Sequence, residues 1–272
     1  MNSKSIKKKM IEALNRSGYL MESRIIASLA KAGYFIEPNQ KIADSKTGKS
    51  REIDLIAELW DYEPEKHRKH KLSVSVRFVC EAKNNPNPVV LLTKLPFSPN
   101  IEVWAAIKEG RTGLFRNEHT DPSFQDLLLE KQSIFTQYCS FKPKKTGEKS
   151  EWVAWHPDDF NDDLEKIIYY SDEEVEIAND MNDDYNRLHI YLPVVILGGD
   201  LYLSEPGARS INLKKVDVGF YMHFGIRNDV HFLALVAFVT ERHLLKFFEK
   251  TNGIAQHLEQ QTIVSIESKE GK

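Results

Sequence analysis

The run Val74-Ser75-Val76-Arg77-Phe78-Val79-Cys80 alternates along most of its length and closes on Glu81-Ala82-Lys83. Successive side chains of a strand point to opposite faces. Val74, Val76, Phe78 and Cys80 therefore share one face, the side a core takes. Glu81 and Lys83 share the other, a carboxylate and an ammonium projecting together from a strand end. Upstream, Arg51-Glu52-Ile53-Asp54-Leu55-Ile56-Ala57 is a second short strand with Asp54 set among Ile53, Leu55 and Ile56. Further upstream, the helical segment 19–32 carries Glu22 on the stripe of Ile25, Ile26 and Leu29. Three acids and one lysine thus lie on three successive elements in otherwise apolar surroundings, the outline of a metal site.

A carboxylate two residues before a lysine is common. It recurs at Asp44/Lys46, Glu267/Lys269 and Glu270/Lys272, in polar stretches that read as loop or tail. Only Glu81/Lys83 follows a β-run, with an Asp in the preceding strand and a Glu in the preceding helix. This ordered set, over residues 17–85, resembles the PD-(D/E)XK nuclease superfamily, the restriction-endonuclease-like fold. The resemblance implies that Glu22 is the helix acid, Asp54 the strand acid, and Glu81 and Lys83 the catalytic tripeptide. Ile53 stands where the family often has a proline. The family's helix after the tripeptide often adds a Lys, Arg or Gln, for which Gln132 and Gln137 are the candidates. The implied activity is divalent-metal-dependent endonuclease cleavage of phosphodiester bonds in DNA, with Mg²⁺ as cofactor and Mn²⁺ as its substitute.

These residue types suit that chemistry. Mg²⁺ takes oxygen ligands, keeps several waters and often uses only one or two carboxylates. Asp54 and Glu81 would supply them, with the Ala82 carbonyl as a further ligand and Glu22 binding directly or through water. Lys83 would orient or deprotonate the attacking water, or act as a fixed positive charge. Each residue also has a plainer reading. Glu22 lies in the first helical turn, which favours a carboxylate. Asp54 is a strand-end acid within pairing distance of Arg51. Glu81 and Lys83 form a same-face pair of the kind worth about 0.2–1 kcal/mol. No cysteine pair or His-rich spacing supports zinc.

At 272 residues the chain is long enough for a sizeable core, and its net charge of −3 excludes a strongly basic nucleic-acid-coating protein while leaving local patches open. Cys80 and Cys139 are its only cysteines, a usage that suits a reducing cytosol. The N-terminal lysines have no following apolar run of the secretory kind. The apolar stretches 190–197 and 232–239 are too short to span a bilayer, so no membrane partner is expected.

Residues 1–16 read as a basic helix with Ile6, Met10, Ile11 and Leu14 opposite its lysines. Residues 34–43 and the Asp54 strand read as a hairpin joined at Thr47-Gly48-Lys49. Residues 61–71 are a charged loop, and Asn84-Asn85-Pro86-Asn87-Pro88 stops the Glu81 strand. Residues 89–120 read as strand and loop around Trp104 and Phe115, 123–141 as helix, and 142–147 as a basic turn. Trp152, Trp155 and His156 read as anchors to the core, with base stacking as the alternative. The acidic stretch 158–184 reads as a helical insertion placed away from the substrate channel because its charge repels nucleic acid. Residues 188–203 read as a buried strand, a Gly198-Gly199-Asp200 turn and a returning strand. Residues 216–224 and 230–240 read as strands, with His223 and His231 packed, 241–250 as helix, and 262–272 as a short strand and charged tail.

The expected fold is a single α/β domain over 1–272, a mixed central sheet flanked by helices, with 100–186 as an elaboration. Two other functions stay open: a non-catalytic nuclease-fold subunit for binding or assembly, and a small-molecule or protein-binding domain whose acids are structural. A homo-oligomer or a partner subunit is compatible with either.

Overall fold

The computed structural model describes residues 3–43, 48, 50–59, 71–95, 106–116, 122–146, 149–156, 158–181, 185–206, 211–227 and 229–270. Two helices come first, α1 (Ser3–Ser17) and α2 (Tyr19–Lys31). Gly18 separates them at φ 87°, a left-handed conformation that only glycine adopts cheaply. Met21, Ile25 and Leu29 recur at helical spacing and are buried, which sets the face of α2 turned to the sheet. On α1, Ile6, Met10, Ile11 and Leu14 are exposed.

The remaining strands are β1 (Tyr34–Ala43), β2 (Ser50–Leu59), β3 (Leu72–Lys83), β4 (Val89–Lys94), β5 (Lys108–Arg111), β6 (Ile134–Thr146), β7 (Lys149–Trp155), β8 (Asn186–Leu197), β9 (Leu201–Pro206), β10 (Ile211–Val216), β11 (Val218–Arg227) and β12 (Val230–Thr240). These twelve strands form one mixed sheet in the order β1-β2-β3-β8-β12-β11-β6-β4-β9-β10, with β5 on β8 and β7 on β6. β1 and β2 are the expected antiparallel hairpin, and β2 pairs antiparallel with β3. β3, β8 and β12 run parallel, so Lys83, Leu197 and Thr240 end side by side.

Helices cover both faces. Val74, Val76, Phe78 and Cys80 pack with α2, with α3 (Phe124–Leu129) and with α5 (Leu244–Glu270), and Phe78 stacks on Phe248 at 3.6 Å. The opposite face, with Ile53, Ile56, Val79, Val195 and Phe238, packs under α4 (Asp158–Asp180). Phe160, Leu164, Ile167 and Ile168 supply the apolar stripe of α4. The split of β3 between its two faces is the one its alternation dictates. No helix among the described residues is long and apolar enough to cross a membrane.

Several local expectations are corrected. The segment 123–141 is helical only over α3; Ile134 onward is β6, held by antiparallel pairing with β4 and β7. Lys142–Thr146 therefore belongs to a strand, with Lys142 Nζ 3.9 Å from the centre of the Trp155 ring. Trp152 is exposed and anchors nothing in the core. β8 and β9 do not return on each other: β8 lies between β3 and β12, whereas β9 pairs with β4 and β10. Gly199 instead passes so close to the backbone of the Asn85–Asn87 loop that a methyl group there would meet three carbonyl oxygens at 2.7–3.0 Å. Residues 262–270 continue α5, because Ile263 and Ile266 keep its packed stripe. His223 is buried as expected, but His231 is exposed. Trp104, Lys49, Thr47 and the charged residues 60–70 lie outside the described residues.

Candidate active site

The end of β3 positions the site. Glu81 is 5 % exposed and projects, with Lys83, toward α4. The β2–β3 pairing reaches Leu55 and Cys80, and beyond it the Asp54 side chain takes over. Asp54 Oδ2 accepts the Ala82 N–H at 2.7 Å, which fixes one carboxylate beside the other. Lys83 Nζ donates to Glu81 Oε1 at 3.1 Å and lies 5.7 Å from the centre of the Phe160 ring.

Helix α4 adds two residues that the sequence reading missed. Asp163 Oδ2 accepts a short hydrogen bond from Lys83 Nζ. Lys166, whose side chain is 6 % exposed, places Nζ 2.6 Å from Glu81 Oε2 and 3.4 Å from Asp163 Oδ1. The approach to Glu81 Oε2 is close enough for a strong charge contact but lies off the hydrogen-bonding direction, so this buried oxygen makes no hydrogen bond. The acidic segment therefore does not lie away from the site residues; its apolar stripe docks it directly over β3, with Asp163 held by Lys83 and Lys166. One signal was present in the sequence. Lys166 is the only basic residue in 158–180 and sits next to the stripe residues Ile167 and Ile168.

Glu22 enters from α2, near Gly18 and Asn84: a methyl group on Gly18 would lie 3.5 Å from Glu22 Oε1 and 3.6 Å from Asn84 Cβ. Gln132 and Gln137 are elsewhere. Gln132 lies in the turn after α3, and Gln137 is on β6, where its side chain accepts from Thr93. β8, β12 and β11 separate β6 from β3.

The electrostatics follow from burial and crowding. Burial, then the Glu81 and Glu52 carboxylates, raise the Glu22 carboxyl above its ordinary value. Burial also raises Asp54, against the Ala82 hydrogen bond and Lys166, with Glu22 adding to the rise. Glu81 is raised by burial and by Asp54, against Lys83 and Lys166. Burial alone would lower Lys83, but Glu81 and Asp163 outweigh it and hold the ammonium above its ordinary value.

Among the described residues, no group of three or more His, Cys, Asp or Glu side chains is already gathered for a metal ion. The acids are instead engaged with ammoniums and a backbone N–H. The donor set is nevertheless of the right kind for a hard divalent cation, being oxygen only and crowded, with Glu81 buried and Glu22, Asp54 and Asp163 half-buried. Glu22, Asp54, Glu81 and Asp163 against Lys83 and Lys166 leave two uncompensated negative charges when all are ionised. On charge and donor type the residues fit the cation.

No protein-family model, curated protein or solved structure matches the chain.

Proposed function

We propose that the chain is a divalent-metal-dependent endonuclease that hydrolyses phosphodiester bonds of DNA on a restriction-endonuclease-like core. The observation that carries the reading is the contact between buried Glu81 and half-buried Lys83 at the end of β3, with Asp54 tied to the intervening Ala82 N–H. Carboxylates and ammoniums whose pKa values are shifted by burial and by specific neighbours cluster at functional sites, which supports the reading.

Asp54 and Glu81 would hold Mg²⁺ or Mn²⁺, with the Ala82 carbonyl and Glu22 as further ligands. When bound, the ion polarises a phosphoryl oxygen and lowers the pKa of a water. Asp54 is aimed by its hydrogen bond to Ala82. Lys83 serves as a fixed positive charge beside the phosphate rather than as a general base, because Glu81 and Asp163 hold it protonated. Lys166, on α4, balances the charge of Glu81 at 2.6 Å.

A second reading has one observation in its favour. Lys83 is engaged by both Glu81 and Asp163, so the ion network is closed without any ligand. That suits a non-catalytic nuclease-fold subunit for binding or assembly. Calorimetric titration with Mg²⁺ and Mn²⁺ separates the two. The endonuclease reading expects binding that Asp54→Ala abolishes; no heat with either ion favours the second.

A further inference from the structure

A cavity of about 560 Å³ opens at the carboxyl ends of the parallel strands β8 and β12. Open α/β sheets place ligand crevices at such ends, and the volume falls in the range of small-ligand sites, roughly 300–1,000 Å³. It is lined by buried aliphatic residues, Leu29, Leu197 and Leu244, and by the charged side chains Arg24, Arg242, Asp200 and Glu241. Arg24 stands about 200° around α2 from Glu22 at 3.6 residues per turn, so the cavity and the β3 site flank the same helix. The two are joined through backbone: Gly198 N–H, in the cavity wall, donates to the Lys83 carbonyl at 2.9 Å.

Both arginines are more than half exposed and, among the described residues, are held by carboxylates. Arg24 donates through Nε and Nη2 to Glu241 at 2.9 and 3.0 Å. Arg242 donates through Nε to Asp217 at 2.7 Å, with Nη1 3.6 Å from Asp200. Solvent weakens the single-pronged Arg242 pair more than the bidentate Arg24 pair, and the guanidinium fork matches phosphate as well as carboxylate. A phosphate that displaces Glu241 from Arg24 and Asp217 from Arg242 would meet two guanidinium forks beside aliphatic side chains.

We propose that this cavity is a subsite for one unpaired nucleotide of the DNA strand being cut, its base against the aliphatic side chains and its phosphate on Arg24 and Arg242. This rests on the endonuclease reading and adds the requirement that the strand be locally unpaired beside the scissile phosphate.

The test is calorimetry on the full chain with dTMP, thymidine, inorganic phosphate and the single strand pentathymidylate. dTMP is expected to bind at least tenfold more tightly than thymidine or inorganic phosphate, and pentathymidylate more tightly still. Loss of a hydrogen bond to a charged group corresponds to about tenfold or more in affinity, so Arg242→Gln should weaken dTMP by that factor. Ser28 lines the cavity and is exposed, so Ser28→Phe fills the space without touching the core, and should abolish dTMP binding. dTMP binding no tighter than inorganic phosphate, or unchanged in Ser28→Phe, overturns the subsite. Pentathymidylate binding no tighter than dTMP overturns its assignment to the strand. Plasmid cleavage on the same preparations keeps the two claims apart. A protein that cuts but does not bind dTMP retains the endonuclease reading alone, and one that binds dTMP but never cuts overturns that reading.

Discussion

Lys166→Met removes one charge from the most enclosed ion pair at the site. The Lys166 and Glu81 side chains are 6 % and 7 % exposed and 2.6 Å apart. Removing one member of a buried pair costs about 3–5 kcal/mol because the other charge is left without compensation. Lys83 still reaches Glu81 Oε1 at 3.1 Å, which puts the expected loss at the low end, about 3 kcal/mol. Urea denaturation at pH 7, with unchanged m-value, measures it. Adding Glu81→Gln to Lys166→Met should recover at least about 1 kcal/mol, the coupling expected of contacting charges. Mg²⁺ should stabilise the single variant more than the wild type, since the ion replaces the missing positive charge; at a hundredfold excess over Kd such binding contributes about 2.7 kcal/mol. A loss below about 1 kcal/mol, with no response to Mg²⁺, would refute the idea that Lys166 compensates Glu81.

Three further outcomes follow from the same geometry. Glu22, Asp54 and Glu81 have raised pKa values in the folded chain, so the fold binds their protons more readily than the unfolded state does. Their unfavourable contribution is complete above the raised values, declines as pH falls through them, and vanishes below the ordinary values of 3.8 and 4.5. Glu81→Gln should therefore flatten the gain in stability on acidification from pH 7 to pH 4.5, and an identical slope in both proteins counts against the crowding. Asp54→Ala leaves the Ala82 N–H without its acceptor and should cost about 1–3 kcal/mol; Asp54→Asn keeps an acceptor and should cost less, although both lose metal affinity, as denaturation and calorimetry together would show. Lys83→Ala should retain metal affinity, because it removes no ligand, while the cleavage rate falls about 10²–10³ for the loss of one preorganised charge; normal cleavage would remove Lys83 from the mechanism.

The β3 site was legible because its signals are local. Alternation assigned Glu81 and Lys83 to one face and Phe78 and Cys80 to the other; the β2–β3 pairing that sets Asp54 beside them is a non-local contact the sequence did not announce. The contribution of α4 was not legible. Asp163 lies 80 residues beyond Lys83, and only the sheet order, with β8 beside β3, carries the helix over Glu81. Its acidity suggested a place away from the site, whereas its apolar stripe docks it over β3 and its Asp163 and Lys166 join the ion network there. The segment 134–141 has apolar spacing compatible with a helix, but pairing with β4 and β7 overrides local preference. Gly198-Gly199 signalled a hairpin turn for a sound reason, small residues at a sharp bend. Here the missing side chain serves a different need, close passage over the Asn85–Asn87 backbone.

The most direct measurement is nicking of supercoiled plasmid by the full chain in Mg²⁺, with parallel reactions in chelator and with Asp54→Ala. The account predicts nicked and linear products in Mg²⁺ or Mn²⁺, none in chelator, and none from Asp54→Ala protein whose fold is verified by circular dichroism. Plasmid left intact by the wild type in both ions, or nicked equally well by Asp54→Ala, would contradict it.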